Sequence, residues 1–226
     1  MRGGIVISLP SYKFVAVIPH FHRERKDNLK LVVDALLGGS VKPDLVIVFN
    51  NNPEYQVQIQ GAMCINSSIN LGSSVRYAIA YALGAKYFLG NDDDICVGED
   101  DVMRLYEQML QNQNSVIGFC GSDMACTEPY LNRKSYVATE KKSVDVVLGR
   151  INAMTRECLS RYMDSIKGMK LSDYGNHEDI PLSLANKKAG FTNYIIPMNP
   201  KELPTGDVGL EFQPDHFTHR NELAKL

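Results

Sequence analysis

Lys86-Tyr87-Phe88-Leu89-Gly90-Asn91-Asp92-Asp93-Asp94 is a short apolar run that ends in three consecutive carboxylates, and where such a segment can sit decides the fold. An apolar run of this length between polar residues reads as a buried strand. Three adjacent carboxylates at its end repel one another, and a bound divalent cation offsets that repulsion. Mg²⁺ or Mn²⁺ suits such a group, because these hard ions take one or two protein carboxylates and complete their shell with phosphate oxygens and water. An acidic turn or a helix cap is the plain alternative, although Gly98-Glu99-Asp100 further on can supply a cap.

Upstream, the same grammar repeats. Phe14 to Pro19 is an apolar run that opens into His20, His22, Arg23, Glu24 and Arg25, and Leu45 to Phe49 is a second that ends on Asn50-Asn51-Asn52. Between them Leu29, Val32, Val33, Leu36 and Leu37 recur at helical spacing before Gly38-Gly39. After a short segment around 63–65, Asn70-Leu71-Gly72-Ser73-Ser74 precedes a helix over about 75–83. Strands alternating with helices imply an α/β, doubly wound, mostly parallel sheet with helices on both faces. In such folds ligands bind outside the carboxyl ends of the strands.

Downstream, the spacing predicts a helix over 101–111, a strand over 115–120, a small antiparallel section over 136–147, and helices over 150–161 and 181–188. The tail from Asn199 carries three prolines and several charges and reads as a loop or lid. The expected organisation is one domain over 1–226, with a nucleotide-binding half to about 95, an acceptor-binding half over about 96–198, and the tail.

Composition narrows the function classes. Hydrophobic residues at 44% and charged residues at 22% describe a globular chain. A formal net charge of -2 offers no basic surplus for a phosphate backbone, so nucleic acid is not an expected partner. Five cysteines without a C-x-x-C pair suggest neither a disulfide framework nor a zinc knuckle. No apolar stretch approaches the roughly twenty residues of a membrane span. The expected location is therefore cytoplasmic, the host cytoplasm for a viral chain.

The motifs Val17-Ile18-Pro19, Val48-Phe49-Asn50-Asn51, Asn70-Leu71-Gly72 and Asp92-Asp93-Asp94 occur in the order found in glycosyltransferases of the GT-A fold, and the chain resembles that group. His177-Glu178-Asp179 followed by Ile180-Pro181-Leu182 is similar to the Glu-Asp motif of the large family 2. The pairing of Asn50-Asn51 with the aspartates also resembles exostosin-like enzymes and some glycosyltransferases of large DNA viruses, so the subfamily stays open. The chain has no tryptophan and thus lacks the Gln-x-x-Arg-Trp motif of many family 2 enzymes, which leaves processive synthesis unsupported.

The resemblance implies transfer of a sugar from a nucleoside-diphosphate donor, a UDP-sugar by its frequency in the fold, to a hydroxyl of a glycan or other acceptor. It places Pro19, His20 and Arg23 beside base and ribose and Asn50 and Asn51 near the nucleobase. Asn70, Gly72 and Arg76 would face the donor, and Arg76 would reach the diphosphate. Asp92 and Asp93 would border the diphosphate; Asp92 and Asp94 would bind Mn²⁺ or Mg²⁺, with His216 of the tail completing the shell. Asp179 would be the acceptor's base, with Glu178 beside it.

Two other classes compete. A sugar nucleotidyltransferase would carry a glycine-rich basic loop after the first strand, where this chain has Pro19-His20-Phe21-His22-Arg23. A non-catalytic nucleotide- or glycan-binding module would have no use for the second acid pair at Glu178-Asp179.

Overall fold

The computed structural model describes residues 12–124, 134–168, 177–205 and 216–224. The first half runs β1 (Phe14–His20), a 3₁₀ turn (Arg23–Arg25), α1 (Asn28–Gly38), β2 (Leu45–Asn50), β3 (Met63–Asn66), α2 (Val75–Ala82), β4 (Tyr87–Asn91) and β5 (Ile95–Cys96). The second half runs α3 (Asp101–Gln111), β6 (Ile117–Gly118), β7 (Cys120–Asp123), β8 (Lys134–Val137), β9 (Lys142–Val144), β10 (Val146–Val147), β11 (Ile151–Thr155), α4 (Arg156–Ser165), α5 (Asp179–Lys188), β12 (Asn193–Ile195), β13 (Lys201–Glu202) and α6 (His216–Leu223).

A strand that is apolar at successive positions must be covered on both faces, because neighbouring side chains point to opposite sides. β1 meets that demand. Phe14, Ala16 and Ile18 pack with Leu29, Val32, Val33 and Leu36 of α1 and with Val102, Leu105 and Met109 of α3. Val15 and Val17 face the other way, onto Tyr77 and Ala80 of α2, Leu159 and Tyr162 of α4, and Leu182 of α5. Each fully buried side chain of this kind contributes about 1.5–3 kcal/mol of transfer free energy.

The main sheet has the order β3-β2-β1-β4-β11-β6-β12-β9. β3, β2, β1 and β4 are mutually parallel, β11 runs antiparallel to both β4 and β6, and β12 is parallel to β6. β10, β7 and β8 form a small antiparallel sheet, and β13 pairs with β5. Successive strands move outward from β1 to β3 and then return to its other side at β4. The crevice between β1 and β4 is therefore the switch point at which such sheets bind ligands.

Three expectations are corrected. The helix read over 150–161 begins only at Arg156, because 151–155 form β11, buried at every position between β4 and β6. Its second residue, Asn152, donates to the Tyr77 hydroxyl at 2.9 Å, a tertiary partner that overrides helical spacing. The strand read over 115–120 breaks after Gly118, where the chain leaves the main sheet for the small one. A Cβ on Gly118 would stand 2.5 Å from Val147 Cγ1. The tail is more than a loop: its described part contains β13 and α6, and Arg220 of α6 is buried.

Among the described residues no helix is long and apolar enough to cross a membrane.

Candidate functional site

The parallel register of β1 and β4 pairs Val17 with Gly90, and continuing it three residues beyond sets His20 beside Asp93. Their side chains meet, with His20 Nδ1 2.5 Å from Asp93 Oδ2, and the Tyr55 hydroxyl lies 2.5 Å from His20 Nε2. The acidic turn itself is clamped by Asn91, whose amide donates to the carbonyls of Asp92 and Ile95, both at 2.8 Å. The Asp92 N–H donates to the Arg150 carbonyl at 2.8 Å. Backbone geometry of this kind holds three like charges at one place.

Each carboxylate has a cationic or imidazole neighbour. Arg25 Nη1 lies 3.2 Å from Asp93 Oδ1 and 2.9 Å from Asp94 Oδ2, and Arg76 Nη2 lies 2.8 Å from Asp92 Oδ1. The compensation is partial. Burial, followed by the charges of Asp92 and Asp93, pushes the Asp94 carboxyl up to about 7. Burial raises Asp92 to about 6 against the pull of Arg76, with Glu178 and Asp93 adding to it. Water tempers the second shift, since 30% of the Asp92 side chain is exposed.

A second acid pair joins this turn through Arg76, which extends from α2 and is buried. Its Nη2 lies 3.2 Å from Glu178 Oε1, its Nη1 donates to the Gly149 carbonyl at 2.9 Å, and its Nε donates to the Ser73 carbonyl at 3.2 Å. The Ser73 hydroxyl donates to the other oxygen of Glu178. Burial raises the Glu178 carboxyl, opposed by Arg76. Asp179, at the start of α5, accepts from Arg220 Nη2 at 2.7 Å on one oxygen and from the Ile180 N–H at 3.0 Å on the other.

The remaining candidates border these groups with varied orientations. Pro19 pairs with Phe49 at the ends of β1 and β2. Arg23 stacks its guanidinium 4.9 Å from the centre of the Tyr55 ring. Asn50 closes its own loop, donating to the carbonyls of Asn52 and Tyr55 and to Asn66 Oδ1. Asn51 accepts from the Leu71 N–H at 3.0 Å and donates to the Gly72 carbonyl at 3.2 Å, tying β2 to the segment before α2. Asn70 accepts from the Gly72 N–H at 2.9 Å, and Gly72 has φ 74°, the left-handed region that favours glycine. Arg76 points inward. The side chain of His216 lies outside the described residues.

Sequence reading assigned no role to Arg25, Tyr55 and Ser73; Arg220, read from the sequence as a tail residue able to close over a diphosphate, instead pairs with Asp179. Arg25 carried a signal, as a second arginine two residues beyond Arg23 in the loop after β1. The 3₁₀ turn aims Arg25 at the acidic turn and Arg23 at the tyrosine ring. Residues 199–205 frame the same place: the Leu203 N–H donates to the Asp94 carbonyl at 2.8 Å, and Asn28 donates to the Pro204 carbonyl at 2.8 Å.

Among the described residues no three His, Cys, Asp or Glu side chains converge as a metal cage. Mg²⁺ and Mn²⁺ bound with a phosphate ligand need only one or two carboxylates. Asp94 meets that requirement, because its Oδ1 is buried without a hydrogen-bond partner among the described residues. The donor set therefore fits a hard divalent cation.

No protein-family profile and no curated protein sequence matches the chain. Among solved structures it is similar to GalNAc-T7, crystallised with UDP, GalNAc and Mn²⁺, at a TM-score of 0.65 and 10% identity over 87% of this chain. The chain spans 44% of that structure's length. At that identity the likeness shows the fold alone, a mixed α/β fold of the GT-A kind.

Proposed function

We propose that the protein transfers a sugar from a nucleoside-diphosphate sugar, a UDP-sugar, to a hydroxyl of a glycan or other acceptor. The observation that carries this reading is the junction at Arg76, a buried guanidinium that contacts both Asp92 of the acidic turn and Glu178 of the second acid pair. Two acid groups with separate tasks suit transfer better than binding alone. The UDP and Mn²⁺ of the GalNAc-T7 crystal structure support the choice of donor and ion.

Asp92 and Asp94 would hold Mn²⁺ or Mg²⁺, which supplies positive charge for a departing diphosphate. Pro19, His20, Arg23, Asn50 and Asn51 would form the nucleoside side, where Asn51 and Gly72 fix the wall and Tyr55 and His20 hold Asp93. Asp179 would take the proton of the acceptor hydroxyl as its oxygen bonds to the sugar carbon and the bond to the diphosphate breaks. Arg220 holds one carboxylate oxygen of Asp179 at 2.7 Å. Glu178, bonded by Ser73 and Arg76, would position the start of α5.

One observation favours a second stereochemical outcome, transfer with retention and no such base. Both oxygens of Asp179 already accept hydrogen bonds, from Arg220 and Ile180. Calorimetry of UDP binding with Mn²⁺ and then with EDTA tests the shared part of both outcomes. Binding should weaken strongly with EDTA, and equal affinity in both conditions would remove the cation from the site.

A further inference from the structure

We infer that Arg25 is a positioning residue that competes with a divalent cation for Asp94 and passes to the donor's diphosphate when cation and diphosphate bind together. This rests on the reading of the acidic turn as the cation and diphosphate site. The guanidinium contacts both Asp93 and Asp94, and the side chains of Arg25, Asp93 and Asp94 are only 11%, 7% and 14% exposed. Charges so poorly hydrated interact strongly.

The two arginines of the site differ in how they are held. Arg76 is fixed to backbone carbonyls through Nε and Nη1 as well as to carboxylates through Nη2. Among the described residues the Arg25 guanidinium has one backbone contact, from Nε to the Thr205 carbonyl at a long 3.3 Å. Arg25 is therefore the counter-ion that can exchange partners, while Arg76 belongs to the frame.

A cation arriving alone at Asp94 meets the positive guanidinium of Arg25, and that repulsion weakens its binding. A diphosphate supplies oxygens for both, since a planar guanidinium pairs with phosphate as well as with carboxylate. Cation and diphosphate must then strengthen each other's binding by the same factor. Removing the charge of Arg25 should tighten binding of the cation alone and erase most of the mutual strengthening.

Mn²⁺ binding to the full chain, followed by the electron paramagnetic resonance of the free ion with and without UDP, tests this on wild type, Arg25→Met, Arg25→Gln, Arg25→Lys and Asp94→Asn. Arg25→Met and Arg25→Gln should bind Mn²⁺ alone about tenfold more tightly, within the usual range of such couplings, and lose most of the UDP effect. Arg25→Lys should stay near wild type for Mn²⁺ alone. An unchanged or weakened Mn²⁺ affinity in both neutral variants, or a UDP effect that survives in them, overturns the inference on Arg25. Mn²⁺ binding that Asp94→Asn leaves intact overturns the reading of the site itself.

Discussion

His20 and Asp93 touch, with Nδ1 2.5 Å from Oδ2, across the same offset of 73 residues that sets the register of β1 against β4. The contact is thus the continuation of the parallel ladder past its last paired residues. The histidine is held from its far side by Tyr55, so the middle carboxylate of the triplet is tied to the end of β1. Asp92 and Asp94 lie to either side in sequence.

That chain of contacts should be measurable. His20→Ala leaves Asp93 and the Tyr55 hydroxyl each short of a partner, a loss of about 1–3 kcal/mol for buried polar groups. Urea denaturation of His20→Ala, Tyr55→Phe and the double variant should give non-additive losses. Strict additivity would mean that the histidine does not link the two.

Arg76 should matter more for stability. Arg76→Met strands Asp92 and the buried Glu178, and breaking a buried pair costs about 3–5 kcal/mol. Adding Glu178→Gln should recover part of that loss, because one uncompensated charge is removed. A change under about 1 kcal/mol for Arg76→Met, the level of a surface pair, would contradict the buried bridge.

The raised carboxyls of Asp94 and Asp92, at about 7 and about 6, fix the sign of a pH effect. A folded carboxyl raised above its unfolded value binds a proton more tightly when folded, so its contribution to stability falls as pH rises through that window. Metal-free protein should therefore lose melting temperature between about pH 4 and pH 7 more steeply than Asp94→Asn does. Saturating Mn²⁺ should reverse the difference, since the ion binds the ionised form. Parallel curves for wild type and variant without metal would contradict the crowding at Asp94.

Much of the first half of the fold was legible because parallel strands buried on both faces are continuous apolar runs, as in Val15 to Ile18 and Val46 to Phe49. Strand ends are polar, and those of β1 and β4 form the crevice. β11 was not legible: Ile151 to Thr155 contains Asn152, whose amide nitrogen donates to the Tyr77 hydroxyl and the Gly149 carbonyl, far away in sequence or across the turn. α6 was hidden for a similar reason. His216 to Leu223 has no apolar stripe, and its described anchors are the ion pair between Arg220 and Asp179 and the packing of Leu223 against the core. The acidic turn could be read as a candidate site from charge repulsion together with its place at the end of a strand, whereas Arg25 and Tyr55 reach it through a 3₁₀ turn and an irregular loop that no periodicity announces.

Asp179→Asn separates the two stereochemical outcomes. The amide keeps a polar side chain at the start of α5 but cannot take a proton. If Asp179 is the base, turnover should fall at least about a hundredfold with donor and Mn²⁺ affinity retained. Near-normal turnover would support retention and leave Asp179 as the partner of Arg220.

The central claim, sugar transfer dependent on the acidic turn, is tested most directly by incubating the protein with a set of nucleotide sugars and Mn²⁺ and following the released nucleoside diphosphate. Wild type should release it from a UDP-sugar, and Asp94→Asn should fall to background while its melting temperature is held or raised. No release from any nucleotide sugar, or equal release from Asp94→Asn, would contradict the account.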